Sequence, residues 1–239
     1  MPQLTLHGYY RSSCTARLRI ALALKKIEYS TVYVDFANKE HRGEAYTAIN
    51  PNQTIPTLVA DEGDGRSPVY ITQSVAALEY IEEAFPDNAV HLLPSNASDR
   101  ARVRSLVEIV VADLQPRQAM ITLEKLSNCF GATQDQKVKW SHDWCIKELR
   151  AYEKLVTAVG PVGKYSVGDT LTLADVCLVP AVQNAVEKWG VDLAEAFSVL
   201  ATIYDNLKVL PEVQAAHWSR QPDAPKEKSG VDEVSMVKR

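Results

Sequence analysis

The chain has 239 residues, 46% of them hydrophobic, and its 26 basic and 30 acidic side chains give a net charge of −4. That length and apolar content support one large domain or two modest ones with real cores, and they exclude disorder over most of the chain. The nearly balanced charge offers no footprint for nucleic acid and no polybasic membrane anchor, and no apolar run approaches the ~20 residues that cross a bilayer.

Taken in order, Leu4 and Leu6 alternate with polar residues and predict a first strand, and Arg17–Lys25 predicts a helix. Tyr29–Val34, rich in β-branched and aromatic residues, predicts a second strand. Residues 38–45 read as helix or loop and end at the turn signal Asn50-Pro51. Thr57-Leu58-Val59 and Val69-Tyr70-Ile71 predict an antiparallel pair joined through Asp61–Gly65. Val75, Leu78, Ile81 and Phe85 then repeat at helical spacing, with Ser74 as cap and Pro86 past the end. This β-α-β-(α)-β-β-α order, over residues 1–86, is that of a thioredoxin-like domain. Ile55-Pro56, just before the third strand, reads as a plain trans edge proline on base rates. In this topology a cis bond is expected instead, one that turns the Ile55 backbone toward open space for an extended peptide.

Residues 87–98 are polar and turn-forming, with Leu92-Leu93 as an apolar anchor, and form a linker. Beyond it the period changes. Val103, Leu106, Val107, Val110 and Leu114 mark one amphipathic helix, and Val138, Cys145, Leu149, Tyr152, Val156 and Val159 another. Thr172 and Asp175 stand three apart as a capping box opening a largely buried helix that contains Pro180. One or two last helices cover Val199–Leu207 and Pro211–Trp218, so that an all-helical domain spans 99–220. Residues 221–239, Pro-, Lys- and Glu-rich, read as a disordered tail. Four cysteines (Cys14, Cys129, Cys145, Cys177) are too dispersed for a disulfide framework, and no segment resembles a secretory signal; a reduced, cytoplasmic protein is expected. The five histidines lack paired-ligand spacing, and no metal is expected.

The stretch with the chemistry is Tyr10-Arg11-Ser12-Ser13-Cys14-Thr15-Ala16-Arg17, a strand-turn-helix junction. Two hydroxyls and a thiol lie where unpaired backbone N–H groups and the positive end of the helix dipole favour an anion. The plain alternative is that Ser12 or Ser13 only caps the helix.

These motifs resemble the glutathione transferases over residues 4–222. Within that family, Ser12-Ser13-Cys14 before Arg17-Leu18-Arg19-Ile20-Ala21-Leu22, together with Asn50-Pro51, Ile55-Pro56-Thr57-Leu58, Ile71-Thr72-Gln73-Ser74, Asp113-Leu114-Gln115-Pro116 and Cys177-Leu178-Val179-Pro180, resembles the zeta class. The resemblance implies glutathione as cofactor, a homodimer, and cis–trans isomerisation of maleylacetoacetate to fumarylacetoacetate in tyrosine and phenylalanine degradation. Maleylpyruvate isomerisation, a general transferase acting on electrophiles such as α-haloacids, and a non-catalytic interaction module are the alternatives. Glutathione is an extended tripeptide, and each part has a receiver: Ser74, Gln73 and the helix N-terminus for the γ-glutamyl carboxylate, Ile55 for the cysteinyl amide, and Ser12, Ser13 and Cys14 for the thiol. A Cys-x-x-Cys template laid on Ser12–Thr15 puts Ser12 at the nucleophile's place. Cys14 could line the pocket, form a mixed disulfide with glutathione, or be a small buried residue. Gln115 resembles the zeta residue that closes the site. Departures are Ala16 for an expected tryptophan, Ala119 for Asn, and Glu187-Lys188-Trp189 in the segment where an Arg receives a substrate carboxylate, with Lys188 as substitute. Arg11, Arg17, Arg19 and Lys188 are candidates to hold the small dicarboxylate substrate, surface solvation being their ordinary fate. The helical face beginning at Ala101 and the edge from Gln73 to Glu82 carry the apolar surface expected to be covered by a second chain.

Overall fold

The computed structural model describes residues 2–225, which fall into two compact units: residues 2–93 with 210–224, and residues 94–209. The first is an α/β unit of thioredoxin-like order and the second is all-helical, as the sequence predicts.

The first unit is built on a four-stranded sheet in the order β2-β1-β3-β4. β1 (Gln3–Gly8) runs parallel to β2 (Ser30–Tyr33) and antiparallel to β3 (Thr57–Asp61), which pairs with β4 (Val69–Ile71). Period-two alternation sends Leu4 and Leu6 inward, and Leu6 pairs directly with Leu58. α1 (Ser13–Leu24) is made of good helix formers and packs against α3 (Ser74–Ala84). Residues 38–45 resolve into a 3₁₀ turn at Glu40–Arg42 and the start of α2 (Glu44–Ile49). The expected cap of α3 shifts by one residue: Gln73 is the N-cap, and Ser74, the first helical residue, has its hydroxyl held from another helix.

The linker is tied down at its centre. Lys25, fully buried, donates to Glu82 Oε2 at 3.1 Å and to the Val90 carbonyl at 2.9 Å, and Glu82 Oε1 accepts the Leu92 N–H at 3.1 Å. Leu92 and Leu93 are buried beside this polar pin and close the first unit.

In the second unit α4 (Ala97–Glu108) runs into a π-helical stretch, Ile109–Leu114, and then α5 (Gln115–Gln118). Pro116 lacks an N–H and its ring crowds the carbonyl four residues earlier, which accounts for the widened turn before it. All five residues of the predicted stripe, Val103 to Leu114, are buried. α6 (Met120–Phe130) was not predicted, and α7 (Gln134–Thr157) buries Cys145, Leu149, Tyr152 and Val156. Val159 lies past the end of α7 and is 62% exposed, contrary to its place in that stripe.

α8 (Leu173–Glu187) opens on the Thr172/Asp175 capping box and buries twelve of its fifteen residues, which makes it the core helix of the unit. Asp175 Oδ1 accepts the Ser166 N–H at 2.8 Å, and Oδ2 accepts the Thr172 N–H at 2.8 Å and its hydroxyl at 3.1 Å. Tyr152, wholly buried, donates to Ser166 Oγ at 2.8 Å. α9 (Leu193–Ala196), also unforeseen, and α10 (Ser198–Lys208) complete the unit.

The chain end departs from the predicted boundaries. Residues 210–224 belong with the α/β unit, because α11 (Pro211–Ala216) packs on α1. Residues 221–225, expected to be disordered, include Asp223, which accepts a backbone N–H at 2.8 Å. The remainder of that predicted tail, 226–239, lies outside the described residues.

The four cysteines are free thiols in unlike settings. Burial pushes the Cys145 thiol up to about 12, although Gln118 donates to its sulfur, and Cys177 is also buried, whereas Cys129 is exposed and Cys14 half-buried. Only the thiolate alkylates. Iodoacetamide at pH 8 should therefore label Cys129 first, then Cys14, and leave Cys145 and Cys177 unmodified in the native protein; peptide mass spectrometry checks the order.

Candidate active site

Ser12 stands at the N-cap of α1 with extended backbone angles, its Oγ accepting the Thr15 N–H at 3.1 Å. The bond uses an oxygen lone pair and leaves the hydroxyl proton available to a second group. No acidic residue lies in the first turn of α1, so the positive end of that helix is not neutralised from within. Ser13 and Cys14 follow as its first two residues, and all three side chains are half-buried.

Four residues on, Arg17 is 1% exposed and donates from Nη1 to the Ser74 hydroxyl at 3.0 Å, joining α1 to the first turn of α3. Its Nε is buried without a protein partner. The first turn of α3 carries no acid either, and the side chain of Gln73 makes no capping bond and is exposed. A buried guanidinium, a hydroxyl oriented by it, free helix-terminal N–H groups and an uncommitted amide thus converge at one helix end, a set suited to a carboxylate.

The third piece is the segment before β3. Ile55-Pro56 is cis, as the topology suggested, and Ile55 is half-buried. Behind it Asn50, fully buried, donates to the Thr54 carbonyl at 2.6 Å and to Thr57 Oγ1 at 3.1 Å, while Tyr46 donates to Thr54 O at 2.8 Å. Asn50 and Tyr46 therefore hold the loop bearing Ile55. Sequence reasoning read Asn50 as a turn signal and as part of the zeta-class resemblance, without giving it this role in holding the loop.

Of the arginines offered as candidates for the substrate dicarboxylate, none has the ordinary fate of a solvated surface group, and two are engaged within the protein. Arg17 is committed to Ser74, and Arg19, 8% exposed, donates from Nε to Ala216 O at 3.3 Å and from Nη2 to Tyr10 O at 3.1 Å. Burial lowers the Arg19 pKa to about 10, opposed by Tyr29, Asp223 and Tyr33, so it remains a cation at neutral pH. Arg11 is half-buried, its guanidinium carbon 4.2 Å over the ring of Trp218.

Residues 11–84 match the family description for the glutathione S-transferase N-terminal domain, and residues 122–219 match that for the glutathione S-transferase C-terminal domain. The chain belongs to the glutathione transferase family. A maleylacetoacetate isomerase of Emericella nidulans is 43% identical to this transferase over 228 residues, covering 94% of this chain and 96% of the relative. The Mus musculus maleylacetoacetate isomerase is 35% identical over 224 residues, covering 93% and 95%. Among solved structures, a maleylacetoacetate isomerase from Anaeromyxobacter dehalogenans with glutathione in its active site matches with a TM-score of 0.82 at 38% identity, covering 94% of this chain and 99% of that one. A bacterial maleyl pyruvate isomerase of the zeta class matches with a TM-score of 0.84 at 36% identity, covering 92% and 100%.

The remaining predicted site residues of this transferase lie in its helical unit. Gln115 is half-buried at the exit of the π-helical stretch, a local irregularity that is frequent at functional sites. Ala119, at the junction of α5 and α6, offers no polar side chain. Lys188 caps the C-terminal end of α8, half-buried, with its ammonium 4.9 Å over the ring of Trp189. Among the described residues no group of three or more His, Cys, Asp or Glu is placed to hold a metal, and no helix is long and apolar enough to cross a membrane.

Proposed function

We propose that this chain is a zeta-class enzyme that isomerises maleylacetoacetate to fumarylacetoacetate with glutathione as cofactor, acting in the cytoplasm in tyrosine and phenylalanine degradation. The observation that carries the reading is the Ser12 hydroxyl at the start of α1: its lone pair is engaged by the Thr15 N–H, which leaves its proton to donate to an anion there. The named isomerases among its relatives support the substrate, and the glutathione in the Anaeromyxobacter enzyme supports the cofactor.

The residues present fit glutathione. Arg17, Ser74 and Gln73 receive its γ-glutamyl carboxylate, and the buried Nε–H of Arg17 is a donor with no acceptor in the protein. Ile55 pairs with the cysteinyl amide through its backbone. Bound glutathione supplies a thiolate whose reversible addition to a conjugated double bond permits rotation. Ser12 donates a hydrogen bond to that sulfur, and the N–H groups of Ser13 and Cys14 add the field of the helix end; for Gln115 the zeta resemblance supports a role toward glutathione. Arg11 and Lys188 bind the substrate carboxylates.

Isomerisation differs from conjugation in its thiol balance. With maleylacetoacetate and trace glutathione, product should form with no loss of free thiol and not at all without glutathione. Consumption of one thiol per substrate, or turnover of an α-haloacid alone, would establish a general transferase instead. Maleylpyruvate as the better substrate would move the assignment to that acid. Lys188→Ala should raise KM by roughly tenfold with a smaller change in kcat, as expected of a group that binds ground and transition states alike.

We further propose a homodimer, on a different surface from the one expected. Neither α4 around Ala101 nor the stretch from Gln73 to Glu82 has an exposed large apolar side chain, and Glu82 is committed to Lys25. Val69 and Tyr70, about half exposed on the edge strand β4, are the apolar groups that a second copy would cover. Sedimentation at micromolar concentration should show two chains, and Tyr70→Lys should shift the species to one; a wild-type monomer overturns the assignment.

A further inference from the structure

The last described residues grip the turn on which Ser12 stands. Tyr10, two positions before Ser12, is held at both of its backbone polar groups: its N–H donates to Asp223 Oδ2 at 2.8 Å, and its carbonyl accepts from Arg19 Nη2 at 3.1 Å. Arg19 in turn binds the Ala216 carbonyl, and Arg11, the next residue along, lies over the ring of Trp218. The Tyr10 and Trp218 rings are 6.3 Å apart between centroids. The turn is closed from within by the Ser12 N–H, which donates to Tyr9 O at 3.1 Å. Asp223 thus binds the backbone of Tyr10 directly across 213 positions of the chain, and Ala216 braces it through Arg19, 197 positions away.

The arrangement carries a cost that local folding does not explain. Asp223 Oδ1 is buried without a hydrogen-bond partner, and a carboxylate with nothing to hold would turn that oxygen to water. We infer that Asp223, with Arg19, is a positioning residue: it fixes the Tyr10 peptide and so the direction in which Ser12 presents its hydroxyl to the thiol. The inference rests on the thiol-binding role proposed for Ser12. Neither residue touches the reacting atoms; each acts through the backbone of the turn. Fixing this turn from a distant segment serves catalysis because a hydroxyl a fraction of an ångström out of line loses most of its preference for the anion over the thiol.

The test compares full-length wild type with Asp223→Ala and Asp223→Asn, the second keeping an acceptor oxygen at the same reach. Hydrogen exchange of the Tyr10 amide should be roughly tenfold to hundredfold faster in the alanine variant and near wild type in the asparagine variant. In glutathione-saturated protein, the bound thiol should titrate about half a unit to one unit higher in the alanine variant and return in the asparagine variant. At about pH 5, where the thiol is protonated both free and bound, the dissociation constant for glutathione should stay the same in all three, since Arg17 and Ser74 are untouched; at higher pH it weakens in the alanine variant by the factor that the thiol pKa shift requires. Equal Tyr10 exchange in all three proteins overturns the grip, and altered exchange with an unaltered thiol pKa overturns the positioning role. Should the wild type bind no glutathione, the proposed function fails, while the exchange arm still decides whether Asp223 holds the turn.

Discussion

Ser12→Ala and Ser12→Gly are both expected to raise the pKa of bound glutathione by about one to two units, with kcat/KM at pH 7 falling roughly tenfold to hundredfold. A free thiol of pKa about 8.5 is only a few per cent ionised at neutral pH, and lowering it by two units corresponds to ~3 kcal/mol of preference for the anion. A hydrogen bond to a charged group contributes about 1.5–3 kcal/mol, so the Ser12 hydroxyl can account for half or more of that preference. The two variants separate this role from capping. Alanine also removes the N-cap bond to Thr15, at a cost of about 0.5–2 kcal/mol in stability, whereas glycine at an N-cap costs only a few tenths. The glycine variant should therefore keep its thermal midpoint while the acid limb of its pH–rate profile moves to higher pH. Ultraviolet titration of the thiolate provides the direct measurement, and an unchanged pKa in both variants would transfer the role to Ser13 or to the backbone N–H groups alone.

The largest stability effect is expected at Asp175. Its carboxylate is fully buried and serves the Ser166 N–H, the Thr172 N–H and the Thr172 hydroxyl at the start of the core helix of the second unit. Alanine there removes the cap and strands buried donors, for a loss of about 3–5 kcal/mol, or a fall in Tm of roughly 10 °C. The Asp175→Asn variant would keep one acceptor and lose about half as much. Burial raises the Asp175 pKa, with the bonds from Ser166 and Thr172 opposing it. An acid whose folded pKa lies above its unfolded value favours the folded state below the unfolded pKa, and that contribution declines as pH rises through the folded pKa. The stability gap between wild type and Asp175→Asn should thus narrow as pH rises from about 4, and differential scanning calorimetry across that range checks the sign. A gap that widens would mean that the ionised form is the one the fold prefers.

What could be read without coordinates were features written within one turn or one strand. The Leu4/Leu6 alternation, the stripe from Val103 to Leu114, the Thr172/Asp175 box and the Ser12 junction each rest on neighbours a few residues apart, so local backbone physics determines them whatever the rest of the chain does. α6 escaped because only Leu123 of its eleven residues is buried, which leaves no clear stripe; Gly131, left-handed just past its end at φ 67°, was the remaining signal. The tertiary structure decided the fate of the charges. Arg17 and Lys25 look like solvated helix residues until Ser74 and Glu82, each 57 positions later, arrive to accept their hydrogen bonds. Asp223 looks like part of a polar tail until the Tyr10 N–H meets it. Burying a charge is unfavourable unless a partner is supplied, and here the partners come from distant parts of the chain; which arginine binds, which one braces and what Asp223 holds are therefore properties of the folded molecule and not of any window of its sequence.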